Sequence, residues 1–166
     1  MLHGAVSSVR ITTSFAVDMF PDVTCKDLTG DAGYKPAGPN ANVWLFEDDD
    51  WPHIETDAEG AIAITSVLFD KFTGEIYDAD VELNSYGVNF TTEPAVDRVD
   101  LASVIQHESG HFLGLGHSPD AEATMCATLD PDTGEAKKRT LNSDDVEGIC
   151  AVYPPGKFDE LCDMLP

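Results

Sequence analysis

The segment 107–117 constrains this chain most, because it holds three histidines and one glutamate within eleven residues. His107 and His111 are four positions apart, so on a helix their imidazoles lie one turn apart on the same face. Both rings can then bind one metal ion, whereas the adjacent Glu108 is better placed to contact a water on that ion. The spacing fits the pattern H-E-x-x-H-x-x-G-x-x-H at every fixed position.

The third histidine requires the chain to turn back. His117 lies ten residues after His107, and a continuing helix would carry it about 15 Å along the axis. Gly114 and Gly116 can end the helix and reverse the chain, because glycine adopts a positive φ without a steric penalty. We therefore expect a site of three histidines and one water, the open arrangement of catalytic zinc.

The order of the predicted elements indicates an α+β fold in a single domain. Residues 1–156 are assigned to this domain and 157–166 to a C-terminal tail or linker stub. Hydrophobic periodicity and turn signals predict, in chain order, an amphipathic helix within 5–20, a strand at 43–46, two strands at 61–69 and 76–83 joined by a hairpin-type connection, a helix that begins at Leu101 after the N-cap Asp100, and a last helix at 142–152.

Further segments carry a resemblance to a known family. They are Ser118 directly after the histidine motif, 123–126 as a Met-turn, 141–149 with its adjacent aspartates, and the strands 60–65 and 74–84, which are similar to those of bacterial matrixin-like proteins. Over about residues 40–155 the sequence resembles the catalytic domain of the matrixins. Matrixins are the metzincin zinc peptidases that include the matrix metalloproteinases.

The resemblance implies a zincin fold, with a twisted, mostly parallel sheet, an antiparallel edge strand, an active-site helix and a C-terminal helix. It also implies a secreted zinc-dependent endopeptidase in which Glu108 assists the attack of zinc-bound water on an internal peptide bond. Met125 would form an apolar floor beneath zinc held by His107, His111 and His117. The residues implied in binding an extended protein substrate are those of the edge strand and those after the Met-turn: Ala61, Ile62, Ala63, Ile64, Thr65, Ala127, Thr128 and Leu129.

The sequence departs from its relatives in three respects. Only His3 and His53 lie outside the motif, too few for the second, structural zinc of animal matrixins, so we expect none. Ala127 stands where astacin- and serralysin-like relatives carry a tyrosine, so transition-state stabilisation would rest on zinc and Glu108. No cysteine-switch motif is present, so any latency is expected to be encoded outside this chain.

The chain is strongly acidic, with 31 acidic against 9 basic residues and a formal net charge of −22. This charge argues against binding nucleic acid or anionic lipid. Carboxylates cluster in the loop where matrixins hold structural ions, and such a loop suits a hard cation such as calcium. His53, in the same loop, is expected at the surface. The candidate calcium ligands are Asp48, Asp49, Asp50 and Asp57.

Four cysteines allow three disulfide pairings. A secreted setting favours two disulfides. Cys126 beside the Met-turn and Cys150 in the last helix are the first choice for one pair, which leaves Cys25 for Cys162. A free, reactive cysteine is the alternative.

No apolar run reaches the 18 or more residues needed to cross a bilayer, so we expect no membrane span. The first residues lack a basic stretch followed by an apolar core. A signal peptide and any propeptide are therefore expected to be absent from this chain. We also expect the protein to be a monomer. Two other functions stay open, a non-catalytic zinc-holding module that binds protein and a zinc hydrolase of another amide. Glu108 argues against the first, because a binding module needs no base beside the metal.

Overall fold

Strands precede helices in the computed structural model, which describes residues 8–13, 42–53, 60–93, 95, 97–128 and 136–154. The elements are β1 (Ser8–Thr13), β2 (Trp44–Phe46), β3 (Ala63–Phe69), β4 (Ile76–Leu83), β5 (Phe90–Thr91), β6 (Val99–Asp100), α1 (Leu101–Phe112), a 3₁₀ helix (Ala136–Arg139) and α2 (Ser143–Val152). The predicted α+β order is thereby confirmed, as are the active-site and C-terminal helices. No helix within the described ranges is both long and apolar enough to span a membrane.

The main sheet is mixed and has the strand order β1-β3-β4-β2. β1 is parallel to β3 and β2 is parallel to β4, whereas β3 and β4 are antiparallel. The sheet therefore differs from the expected one in detail: β3 lies inside it rather than at its edge, because β1 pairs with the outer side of β3. β5 and β6 form a separate parallel pair.

The expectation of an amphipathic helix within 5–20 is wrong at Ser8–Thr13, because this segment forms β1. Four of these six residues are β-branched (SVRITT), and such side chains lose torsional freedom in a helix but suit a strand. Pairing along β3, from Ser8 with Ile64 to Thr13 with Phe69, completes the strand. The other residues of 5–20 lie outside the described ranges.

A tight turn joins β3 to β4 and makes them antiparallel neighbours. The Asp70 carboxylate accepts hydrogen bonds from the N–H groups of Thr73 and Phe72 at 2.9 and 2.7 Å, and these bonds lower the pKa of Asp70. Gly74 has a φ of 77° and donates its N–H to the Asp70 carbonyl at 2.8 Å. The predicted hairpin-type connection is confirmed.

Helix α1 is anchored at its N-cap residue, Asp100. The Asp100 carboxylate accepts the N–H of Ser103 at 2.8 Å, as an N-cap does, and Arg139 donates to the same carboxylate at 2.6 Å. Burial alone would raise the pKa of Asp100, but the hydrogen bonds from Arg139 and Ser103 outweigh it and lower the pKa. The 3₁₀ helix is thus tied to the start of α1.

The two faces of β4 bury different chemistry. Val81 and Leu83 pack with Ile62, Ala63 and Val104, which places the apolar core between the sheet and α1. Residues at alternate positions of a strand point to the opposite face. On β4 these are acidic and also buried: Asp78, Asp80 and Glu82.

Two of these acidic side chains have partners on other elements. Asp80 Oδ1 accepts the N–H of Val43 at 2.9 Å, and Glu82 Oε1 lies 3.0 Å from Nε2 of His53. His53 is buried, so the expectation that it lies at the surface is wrong. The reason is its carboxylate partner, which only the folded chain brings within reach.

The third carboxyl group gives a testable pH dependence. Burial and the neighbouring Asp80 raise the pKa of Asp78 from 3.8 to about 7. A group whose pKa is raised in the folded state contributes stability that is fully present below its unfolded-state pKa. That stability is lost as the pH rises through the folded-state pKa. We therefore expect Asp78→Asn to raise the melting temperature more at about pH 8 than at about pH 5. Circular dichroism melts check this, with exposed Glu75→Gln as control. An equal shift at both pH values would contradict it.

The cysteines correct a further expectation. Cys126 carries a free thiol, with its Sγ 3.7 Å from Oγ1 of Thr128, whereas Cys150 is disulfide-bonded. A pair of Cys126 with Cys150 is therefore wrong. The partner of Cys150 lies outside the described residues, where Cys25 and Cys162 are found.

Candidate active site

Helix α1 and the turn that follows it bring the three histidines together. His107 and His111 are buried on α1 with ring centroids 4.7 Å apart. After the helix Gly114 adopts a φ of 92°, and the reversed chain places the His117 ring 5.3 Å from His107 and 4.7 Å from His111. The predicted reversal is present, although Gly114 alone of the two expected glycines takes a positive φ.

Backbone carbonyls orient two of the imidazoles. Nδ1 of His107 lies 2.7 Å from the Thr124 carbonyl, and Nδ1 of His111 lies 2.8 Å from the Leu115 carbonyl. A carbonyl only accepts, so each Nδ1 carries the proton and each Nε2 presents its lone pair. Within the described part of the chain, Nε2 of His107 is buried without a hydrogen-bond partner. An orphaned buried nitrogen of this kind fits a metal ligand.

The electrostatics of the three rings favour the neutral form. Burial, and then the neighbouring His111, lower the pKa of His107 to about 3. Burial also lowers the pKa of His111, to about 4, and that of His117. Neutral imidazole is the form that binds metal. The three ligand nitrogens lie within 4.8 Å of one another, so the donor set fits zinc.

Met125 lies against α1 at the level of this cluster. It is buried, and a Cβ added to Gly110 would overlap its sulfur. Only glycine at position 110 therefore lets the helix approach the Met-turn this closely. The expected position of Met125 beneath a bound ion stays a prediction.

Asp145 of α2 holds the Met-turn in place. Its carboxylate accepts the N–H of Thr124 at 2.8 Å and that of Met125 at 2.9 Å. It also accepts the N–H of Asn142 at 2.8 Å, within the capping box of α2. The carbonyl of Thr124 is the one that orients His107, so the helix cap and the histidine cluster are connected. The sequence offered the adjacent aspartates only as a family resemblance.

Glu108 is fully buried beside the histidines. Its Oε2 accepts a hydrogen bond from Oγ1 of Thr65 at 2.6 Å. Thr65 was expected to bind substrate through its backbone, yet its side chain faces the glutamate.

A cavity of about 20 Å³ adjoins Glu108 and His107. Lys138, on its wall, is 2% exposed, and its Nζ donates to the carbonyls of Cys126 and Thr128 at 2.8 Å each. Sequence analysis missed this lysine, since nothing in its neighbourhood distinguishes it from the basic residues on either side. The remaining lining residues are Ile62, Ser103, Val104, Cys126 and Ala127.

Comparison with known proteins agrees with this geometry. The family model described as Matrixin matches residues 24–154. The chain belongs to the matrixin family. It is 53% identical over 146 residues to Metalloendoproteinase 2-MMP of Arabidopsis thaliana, an alignment that covers 87% of the chain and 37% of that relative. No solved structure matches the matrixin chain.

Other relatives are plant and animal proteins. Metalloendoproteinase 4-MMP of Arabidopsis thaliana is 38% identical over 95 residues, which cover 57% of the chain and 26% of the relative. Matrix metalloproteinase-C of Caenorhabditis elegans is 30% identical over 134 residues, which cover 73% of the chain and 21% of the relative. The matrixin chain thus spans about a fifth to two fifths of the length of these relatives.

The remaining predicted site residues fall into two groups. Residues 61–65 are buried, and Ile64 and Thr65 pair with Ser8 and Val9 of β1. Ala127 lines the cavity, Thr128 is exposed, and Leu129 lies outside the described residues.

The candidate calcium ligands do not converge in the described part of the matrixin chain. Asp48, Asp49 and Asp50 are exposed, and Asp57 lies outside the described residues. Asp48 accepts a hydrogen bond from the Ser85 hydroxyl. Among the residues that the structure describes, only the three histidines form a group close enough to hold a metal ion.

Proposed function

We propose that the chain is a secreted, zinc-dependent endopeptidase that hydrolyses internal peptide bonds of extended protein substrates. The observation that carries this proposal is the convergence of three imidazole nitrogens beside the buried Glu108. Three histidines leave a fourth zinc position open, as a catalytic site requires. Membership in the matrixin family supports the proposal, and the relatives are themselves called metalloendoproteinases.

Each residue has a distinct role in this proposal. His107, His111 and His117 hold the ion, which when bound polarises a substrate carbonyl and lowers the pKa of water. Glu108 accepts the proton of the attacking water and donates it to the leaving amine. Met125 would form an apolar floor beneath the ion, and its contact with Gly110 of α1 supports this role.

Substrate would lie extended and antiparallel beside β3, bound by backbone hydrogen bonds that demand little of its sequence. β1 pairs with the outer side of β3 from Ile64 onward. The stretch 61–63 is therefore the part of the expected binding strand that β1 leaves unpaired, and we propose that substrate pairs there. Ile64 and Thr65 would bind substrate only after β1 leaves.

The substrate side chain after the scissile bond would enter the cavity beside Glu108. Its volume of about 20 Å³ is comparable to the space for one water, so a small side chain suits it best. Ala127 lines this space. Thr128 and Leu129 are proposed as further parts of its wall.

The remaining proposals concern the setting of the enzyme. A disulfide at Cys150 is typical of secreted proteins. Calcium binding by Asp48, Asp49, Asp50 and Asp57 is supported by their chemistry alone. The net charge of −22 supports the proposed absence of nucleic-acid partners, and we propose a monomer.

A fluorogenic peptide library tests the proposed function. We expect the purified protein to cleave internal bonds, a zinc chelator to stop cleavage, and added zinc to restore it, because the three histidines supply the ligands. Zinc content is measured in parallel by elemental analysis. Bound zinc without cleavage of any peptide would contradict the proposal and leave a zinc-holding binding module. Turnover of small amides only would indicate another hydrolase.

A further inference from the structure

The hydrogen bond between Thr65 and Glu108 joins two separate elements at the centre of the site. Thr65 lies on β3 and Glu108 on α1, 43 positions later in the chain. Both residues have 0% of their surface exposed. Oγ1 of Thr65 lies 2.6 Å from Oε2 of Glu108 and 3.4 Å from its carbonyl oxygen. A hydroxyl has one proton, so the nearer carboxylate oxygen is the acceptor.

This bond restricts the carboxylate in a way that packing alone does not. The side chain of a glutamate has three torsions, and the last one is broad, so burial leaves the carboxylate plane free to turn. A hydrogen bond to Oε2 restricts the orientation of that plane. Because the pair is fully buried, solvent does not replace the bond when the hydroxyl is removed.

We propose that Thr65 is a positioning residue, which holds the Glu108 carboxylate in the orientation that accepts the proton from water. The inference rests on the proposed function, in which Glu108 is the general base. Thr65 acts through Glu108 and does not itself touch the reacting atoms.

Two substitutions at position 65 separate the hydroxyl from the shape of the side chain. Thr65→Val keeps the branched shape and loses the donor, whereas Thr65→Ser keeps the donor. We expect Thr65→Val to lower kcat about 10- to 100-fold, the range for a hydrogen bond to a charged group. KM and zinc content should stay unchanged, and Thr65→Ser should retain most of the activity. Should Thr65→Val fail to fold, Thr65→Ala removes the same hydroxyl without adding volume.

Ser66→Ala is the matched control on the same strand. The Ser66 hydroxyl is buried and has no hydrogen-bond partner among the described residues, so its loss should leave kcat unchanged. An unchanged kcat in Thr65→Val, or an equal loss in Thr65→Ser, would overturn the proposal. A loss in Ser66→Ala as large as that in Thr65→Val would also overturn it, because it would show a general response of β3.

A measurement without turnover completes the test. In metal-free protein the destabilisations by Thr65→Val and Glu108→Ala should be less than additive, because both remove the same bond. Additive values would contradict the bond itself. If the unmodified zinc protein cleaves nothing, the proposed function fails. A second outcome is that the unmodified protein cleaves peptides and Glu108→Gln does not, while Thr65→Val is as active as the unmodified protein. In that case only the role of Thr65 fails.

Discussion

Glu108→Gln is expected to retain zinc and to hydrolyse peptides about 10²- to 10⁴-fold more slowly, the contribution of general acid–base catalysis. The amide has nearly the same shape as the carboxylate and can still accept the bond from Thr65, so the buried site should keep its packing. Glutamine does not take up a proton at neutral pH. The ligand group consists of the three histidines, so zinc content should not change.

The control for this variant is Glu147→Gln, on the exposed side of α2. It removes one negative charge from the same protein without touching the site. Peptide hydrolysis at saturating substrate and elemental zinc are measured for both variants. Full activity of Glu108→Gln with zinc bound would remove Glu108 from the proposed mechanism.

Local spacing explains why the histidine cluster could be predicted from the sequence. His107 and His111 face one side because a helix repeats every 3.6 residues. The N-cap Asp100 and the positive φ of Gly114 define where that helix begins and where the chain reverses. Each of these signals lies within a few residues of the group that it positions.

Contacts between distant segments explain what the sequence left out. Thr65 lies 43 positions before Glu108, and Lys138 lies 12 and 10 positions after Cys126 and Thr128, whose carbonyls it contacts. Neither Thr65 nor Lys138 has a distinctive sequence pattern. His53 is buried because its ring contacts the carboxylate of Glu82, a residue of β4 that lies far from it in the sequence. The sequence predicts a helix that includes 8–13, but pairing with β3 and the β-branched side chains make this segment β1. Tertiary partners thus determined these elements.

Asp145→Ala is expected to lower the free energy of unfolding by several kcal/mol, because each buried N–H left without an acceptor costs about 1–3 kcal/mol. The carboxylate serves the N–H groups of Thr124, Met125 and Asn142. The same variant should bind zinc about 10- to 100-fold more weakly, the usual effect of losing an outer partner of a metal ligand. The link is the Thr124 carbonyl, which fixes the His107 ring.

Asp144→Ala supplies the matched comparison, since Asp144 is the exposed neighbour in the first turn of α2. It should cost at most about 1 kcal/mol, the effect of one carboxylate near a helix N-terminus. Urea unfolding gives the two stabilities, and competition with a fluorescent zinc chelator gives the two affinities. If both alanine variants lost the same stability and bound zinc equally well, the connection from the cap of α2 through the Met-turn to His107 would be refuted. A loss confined to Asp145→Ala would establish that α2, although outside the histidine motif, sets the geometry of the histidine cluster.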